Sequence, residues 1–209
     1  MNNLFQRELI IVSERYPNLS IQKKNGLGYL KGILDIIDES DHVFGQFSIE
    51  IHESEGYPYR FPKLYEVGGE IPRFADWHKY ENDLCCLCVV QEEILFCNKG
   101  INLDFFIEKV ANPYFANQIF RKAEGKYLNE YSHGPKGFME FYTELFKSND
   151  INQWERFCDF CFNKPALGRN LPCYCGSGEK FKKCHLSVEE ALWVLGKEKV
   201  MSDIISLKI

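Results

Sequence analysis

The stretch PCYCGSGEKFKKCH, residues 172–185, sets Cys173, Cys175, Cys184 and His185 in a hydrophilic segment that has no apolar core of its own. A piece this small rarely holds a fold by burial alone and is usually stapled by a metal. Three thiols and an imidazole are donors that tetrahedral Zn²⁺ favours. The Gly176-Ser177-Gly178 turn lets the Cys-x-Cys pair and the Cys-His pair reach one ion. Four protein ligands leave no open position for water, so the expected cofactor is a structural Zn²⁺ and no zinc catalysis is expected.

Nine cysteines form an odd set in a chain whose first twenty residues hold only a short, charge-interrupted apolar run. That run reads as neither a leader nor a membrane span, so the expected compartment is the cytoplasm, with reduced thiols and no membrane partner. A formal net charge of −5 and a pI near 5.6 argue against a surface that is one nucleic-acid footprint. Lys180, Lys182 and Lys183 form a local basic patch whose default reading is a solvated face. A length of 209 residues with 45% hydrophobic composition suits one ordinary core and a small appendage.

Periodicity supplies the first elements. Phe5, Leu9, Ile10, Val12 and Tyr16 have the spacing of one helix face, ended by Pro17 and Asn18. GYLKGILDII (28–37) and HVFGQFSIEIHE (42–53) read as strands across an acidic turn, with Phe47, Ile49 and Ile51 alternating against Ser48, Glu50 and His52. KLYEV (63–67) is a third strand after YPYRFP, in which Pro58 and Pro62 impose extended or turn geometry on their predecessors. INLDFFIEKV (101–110) reads as a helix capped by Asn102 and broken by Pro113, and GFMEFYTELFK (137–147) as another. The reading divides the chain into a main domain at 1–147, a linker at 148–170 and a metal-binding segment at 171–186. A helical tail at 187–209 follows, in which Leu192, Trp193 and Leu195 need cover. Within the linker, Cys158 and Cys161 form a CxxC that either packs with Phe157, Phe160 and Phe162 or serves a second metal site; packing is favoured.

The other cysteine group is HKYENDLCCLCVV, residues 78–90. If this segment alternates as a strand does, Cys86 and Cys88 share one face and Cys85 the other, buried one. Metal or redox chemistry fits poorly, because Cys85 and Cys86 are vicinal and no CxxC stands there.

Two resemblances sharpen these expectations. PCYCGSGEKFKKCH resembles the SEC-C zinc motif, known from the tail of the SecA translocase, with all four ligand positions present. The order of helix, antiparallel strands, YPYRFPKL turn and HKYENDLCCL resembles the ubiquitin-conjugating (UBC) fold over residues 1–147, an α+β architecture. In that register His78 matches the family histidine, Tyr80 stands at the asparagine position and Cys86 at the nucleophile. The resemblance implies a cysteine thioester acyltransferase: Cys86 carries the C-terminus of a ubiquitin-like protein and passes it to an amine. Tyr80 would replace the family's oxyanion donor, His78 would brace the loop, and Cys88 and His133 are the competing nucleophile and base. Bacterial members of the family resemble components of antiphage operons of the CBASS type. This implies a ubiquitin-like protein with its activating enzyme, or a cyclic-oligonucleotide synthase as target, as partners. The rival expectation is an inactive UBC- or RWD-like scaffold that binds a protein.

Overall fold

The computed structural model describes residues 3–38, 40, 42–128, 131–132 and 134–208. The chain forms two compact units, one of residues 1–88 with 96–130 and one of residues 89–95 with 131–209.

In the first unit, helix α1 (Asn3–Arg15) precedes an antiparallel sheet of β1 (Leu19–Lys24), β2 (Leu27–Ile37), β3 (Val43–His52) and β4 (Lys63–Glu66) in sequential order. The register pairs Leu30 with Ile51 and Leu34 with Phe47, so the apolar positions of neighbouring strands stack on one face. Leu30, Leu34, Ile36, Phe47, Ile49, Ile51 and Leu64 are all buried there, under Phe5, Leu9 and Val12 of α1. Gly32 opposes Ile49, and a Cβ at Gly32 would stand 2.0 Å from the Asn18 carbonyl oxygen, so only glycine lets the chain enter β1 across this strand. The expected helix and three strands are present, and the class is mixed α and β.

Four details differ from expectation. Ile10, assigned to the apolar face of α1, is 56% exposed, because it lies one step round the helix from Leu9. β1 went unread: its LSIQ alternation is only four residues long, and as an edge strand it buries Leu19 alone. Helix α2 (Val90–Cys97), which follows the cysteine group, also went unread.

The fourth concerns Pro113, which does not break the helix that begins at Asn102. Helix α3 (Leu103–Phe106) continues through a π turn, Ile107–Ala111, into α4 (Asn112–Glu124). Asn112 N–H donates to the Ile107 carbonyl five residues back, and this widened turn lets Pro113, the second residue of α4, enter without ending the helix. The Asn102 cap is as expected, its side chain accepting from Phe105 N–H.

The second unit holds α5 (Pro135–Phe146), α6 (Ile151–Asn163), α7 (Leu186–Leu195) and α8 (Lys197–Ser206). The segment 148–170, read as a linker, contains α6, and the compact units divide elsewhere than at residue 147. Trp154, Phe157, Cys158 and Cys161 recur at helical spacing and are buried with Phe141, Tyr142 and Phe146 of α5 and Leu192 of α7. Burial pushes the thiols of both Cys158 and Cys161 up to about 12. Asp203 of α8, nearly buried, accepts from Gln91 Nε2 at 2.8 Å, Tyr142 Oη at 2.9 Å and Lys199 Nζ at 2.6 Å, which satisfies its charge. In the tail, Leu192 and Leu195 are covered but Trp193 is 58% exposed, its ring edge meeting Phe162. Among the described residues no helix is long and apolar enough to cross a membrane.

Candidate functional site

The second unit carries the cluster of Cys173, Cys175, Cys184 and His185. Pro172 pairs with Lys180, and Cys173 N–H donates to the Glu179 carbonyl at 2.7 Å, closing a tight hairpin. Gly176 and Gly178 turn it with φ of 80° and 77°, a region that residues with a Cβ rarely occupy. A 3₁₀ turn, Phe181–Lys183, then delivers Cys184 and His185 to the start of α7. The four ligand atoms lie within 4.8 Å of one another. Cys184 Sγ and Cys173 Sγ stand 3.0 and 3.3 Å from His185 Nδ1, and Cys175 Sγ is 3.6 Å from Cys184 Sγ. A tetrahedron with Zn–S of about 2.3 Å has edges of about 3.8 Å, so the donor set is compatible with a bound metal such as zinc. Burial and then the Lys147 ammonium lower the His185 pKa, which favours the neutral, ligating imidazole.

Aromatic contacts hold the hairpin on α6. Tyr174, between two ligand cysteines, stacks on Phe160 with ring centroids 3.7 Å apart, and the Phe157 ring lies 4.7 Å from both Tyr174 and His185. Phe181 is buried beside them. The metal-binding segment is therefore packed into the second unit, on Phe157 and Phe160 of FCDFCF.

The first unit carries the other cysteine group, built on a short hairpin. Lys79 pairs with Cys85, Cys86 N–H donates to the His78 carbonyl at 2.8 Å, and Tyr80 N–H donates to the Leu84 carbonyl at 2.9 Å. This alternation turns Lys79 and Cys85 inward. Cys85 is buried and its thiol is pushed up to about 12, chiefly by desolvation, which makes it inert. Cys86 and Cys88 are half-buried. The Tyr80 pKa is raised, first by the neighbouring Cys86 thiol and then by burial. The structure thus brings Tyr80 and Cys86 together.

His78 takes a different place. It adopts a left-handed conformation, φ 48°, at the end of a short turn, Ala75–Trp77. Its imidazole packs on the Tyr127 ring at 5.1 Å, and its carbonyl accepts from Tyr114 Oη at 2.8 Å as well as from Cys86. These contacts make it a brace of the loop. His133, the competing base, lies outside the described residues.

Residues that sequence reasoning missed hold this loop in place. Tyr114, Gln118 and Arg121 share one face of α4: Gln118 Nε2 donates to the Trp77 carbonyl at 3.1 Å, and the Arg121 guanidinium lies over the Trp77 and Tyr127 rings. Lys79 is fully buried, its ammonium 2.5 Å from Glu66 Oε2, 3.0 Å from Asp83 Oδ1 and 3.2 Å from the Ile71 carbonyl. Arg73 grips the same Asp83 through two nitrogens, at 2.7 and 2.9 Å. A signal existed for α4, because positions 114, 118 and 121 fall on one helical stripe.

Residues 169–187 match the SEC-C motif. The chain is 65% identical across 23 residues to the protein translocase subunit SecA of Borreliella burgdorferi (strain ZS7), 11% of this chain. It is 57% identical across 30 residues to SecA of Myxococcus xanthus (strain DK1622), 14% of this chain, and 63% identical across 27 residues to SecA of Pseudomonas putida (strain W619), 13% of this chain. The chain spans about 3% of the length of these relatives. Each of these likenesses covers no more than 14% of this chain.

Proposed function

We propose that the chain is a ubiquitin-conjugating-like enzyme in which Cys86 carries the C-terminal acyl group of a ubiquitin-like protein as a thioester and passes it to an amine. The observation that carries this reading is a half-buried Cys86 beside Tyr80 on the outward side of a short hairpin, with Cys85 turned into the core. A positioned O–H beside the sulfur is a donor for the oxyanion that forms when an amine attacks the thioester carbonyl. The sequential antiparallel sheet behind an N-terminal helix, followed by helices after the cysteine loop, is consistent with a UBC-like fold.

In this reading Cys86 Sγ attacks the carbonyl of an activated C-terminus and expels the activating enzyme's thiol. Tyr80 then stabilises the tetrahedral oxyanion as the acceptor amine displaces Cys86, and His78 holds the loop. In the second unit Cys173, Cys175, Cys184 and His185 would hold a structural Zn²⁺, which would supply folding stability and leave no open position for chemistry. The partners are a ubiquitin-like protein and its activating enzyme in the bacterial cytoplasm, in a defence setting of the CBASS type, with a cyclic-oligonucleotide synthase as one candidate target.

The rival reading is an inactive scaffold, favoured by a tyrosine at the position where the family has asparagine. Alkylation separates the two. With limiting iodoacetamide, the enzyme reading predicts that Cys86 is modified well ahead of Cys85, Cys97, Cys158 and Cys161; a Cys86 as slow as these buried thiols would leave the scaffold reading in its place.

A further inference from the structure

The metal centre is not shielded equally on all sides. Cys173 is 4% exposed, whereas Cys175 is exposed and Cys184 half-exposed, and their sulfurs are 3.6 Å apart. Both line an open cleft of about 460 Å³, together with His185, Gly176 and Ser177. Lys147 and Lys183 also line this cleft. Glu179 is the acidic group on the same walls. The same surroundings are those that make a sulfur reactive: thiolate character, access and neighbouring positive charge.

We infer that Cys175 and Cys184 form an oxidation site for hydrogen peroxide, through which the metal-binding segment responds to oxidant. In the loaded protein both sulfurs are thiolates, because a coordinating thiol is deprotonated. Cys175 Sγ attacks one peroxide oxygen, the O–O bond breaks, and hydroxide leaves, to be protonated by solvent. Cys184 Sγ then attacks the Cys175 sulfur, the S–O bond of the sulfenic acid breaks, and a second hydroxide leaves and is protonated. Two thiolates, one peroxide and two protons become one disulfide and two waters, and the two electrons lost by the sulfurs reduce the peroxide. The sulfurs close from 3.6 Å to about 2.0 Å. Lys147 and Lys183 favour the departing hydroxide. With two of four donors consumed, only Cys173 and His185 remain as ligands, and the ion is released.

The test uses the full chain loaded with Zn²⁺ and treated with hydrogen peroxide near stoichiometry, with released metal read by a metallochromic dye and cysteines located by peptide mapping. The expected result is release of the ion with a peptide pair joined through Cys175 and Cys184, two hydrogens lighter, and recovery of binding after thiol reductant and fresh Zn²⁺. A Lys147→Met/Lys183→Met variant keeps all four ligands and is expected to release the ion at least about threefold more slowly. Retention of the ion at peroxide levels that already oxidise Cys86 would overturn the proposal. So would release in which the first disulfide joins Cys158 to Cys161 or includes Cys173.

Discussion

Lys79 and Glu66 face each other across 2.5 Å with both side chains fully shielded from water. Glu66 also accepts from the Glu70 and Ile71 N–H groups, and Lys79 also reaches Asp83 and the Ile71 carbonyl, so the buried charges have several partners each. The pair ties β4 to the hairpin that carries Tyr80 and Cys86. Lys79→Met leaves Glu66 buried without its counter-charge, at an expected loss of about 3–5 kcal/mol in urea unfolding. Adding Glu66→Leu should recover part of that loss, since an uncompensated charge is worse than none. A single-variant loss under about 1 kcal/mol would show that the pair does not hold the hairpin.

Acid should act on the same loop through Asp83. The Arg73 hydrogen bonds, with Lys79 behind them, lower its carboxyl from 3.8 to about 2. Between those values the unfolded chain binds a proton that the folded chain refuses, so the stabilisation is complete above about pH 4 and disappears as pH falls toward 2. Asp83→Asn should flatten this part of the stability–pH curve. An unchanged slope in the variant would assign the acid sensitivity to other carboxylates.

Stripping the metal from the second unit should be felt in α6. Tyr174 and His185 are set by the ligand cluster and pack on Phe160 and Phe157. A chelator is expected to lower amide protection by about tenfold or more in α6 and at the start of α7, since a metal staple contributes folding energy directly. The sheet of the first unit serves as the internal control. Unchanged exchange in α6 would mean that the aromatic contacts hold the segment without the ion.

Tyr80→Phe removes one hydroxyl from a half-exposed ring, so stability should move by less than about 0.5 kcal/mol. Charging of Cys86 should proceed, while transfer to free lysine should slow by about 10²-fold, the scale of losing one oxyanion donor. If charging and transfer fall together, Tyr80 shapes the loop and does not serve the second step.

The parts legible in the sequence were those carried by short-range pattern. Cys173, Cys175, Cys184 and His185 lie within one hairpin and turn, so donor chemistry and spacing sufficed. The split between Cys85 and Cys86 followed from strand alternation. Lys79 was illegible because a lysine reads as solvated unless its carboxylate partners are known, and Glu66 and Asp83 meet it only through the hairpin. The bracing by Tyr114, Gln118 and Arg121 joins positions more than thirty residues apart, as the |i−j| of 36 between Tyr114 and His78 shows. Helix α6 was missed for another reason: its apolar stripe at Trp154, Phe157, Cys158 and Cys161 was present, but polar neighbours and the cysteine pair drew the reading toward a linker.

The central claim is that Cys86 is the acyl carrier, and intact-mass spectrometry tests it most directly. The wild-type chain, Cys86→Ser and Cys88→Ser would each be incubated with ATP, a charged cognate activating enzyme and its ubiquitin-like protein. The account predicts an adduct of the modifier's mass less one water, cleaved by excess thiol through acyl exchange and retained in Cys88→Ser. In Cys86→Ser that thiol-labile adduct should be absent. No adduct in the wild type, or one that survives Cys86→Ser and disappears in Cys88→Ser, would contradict it.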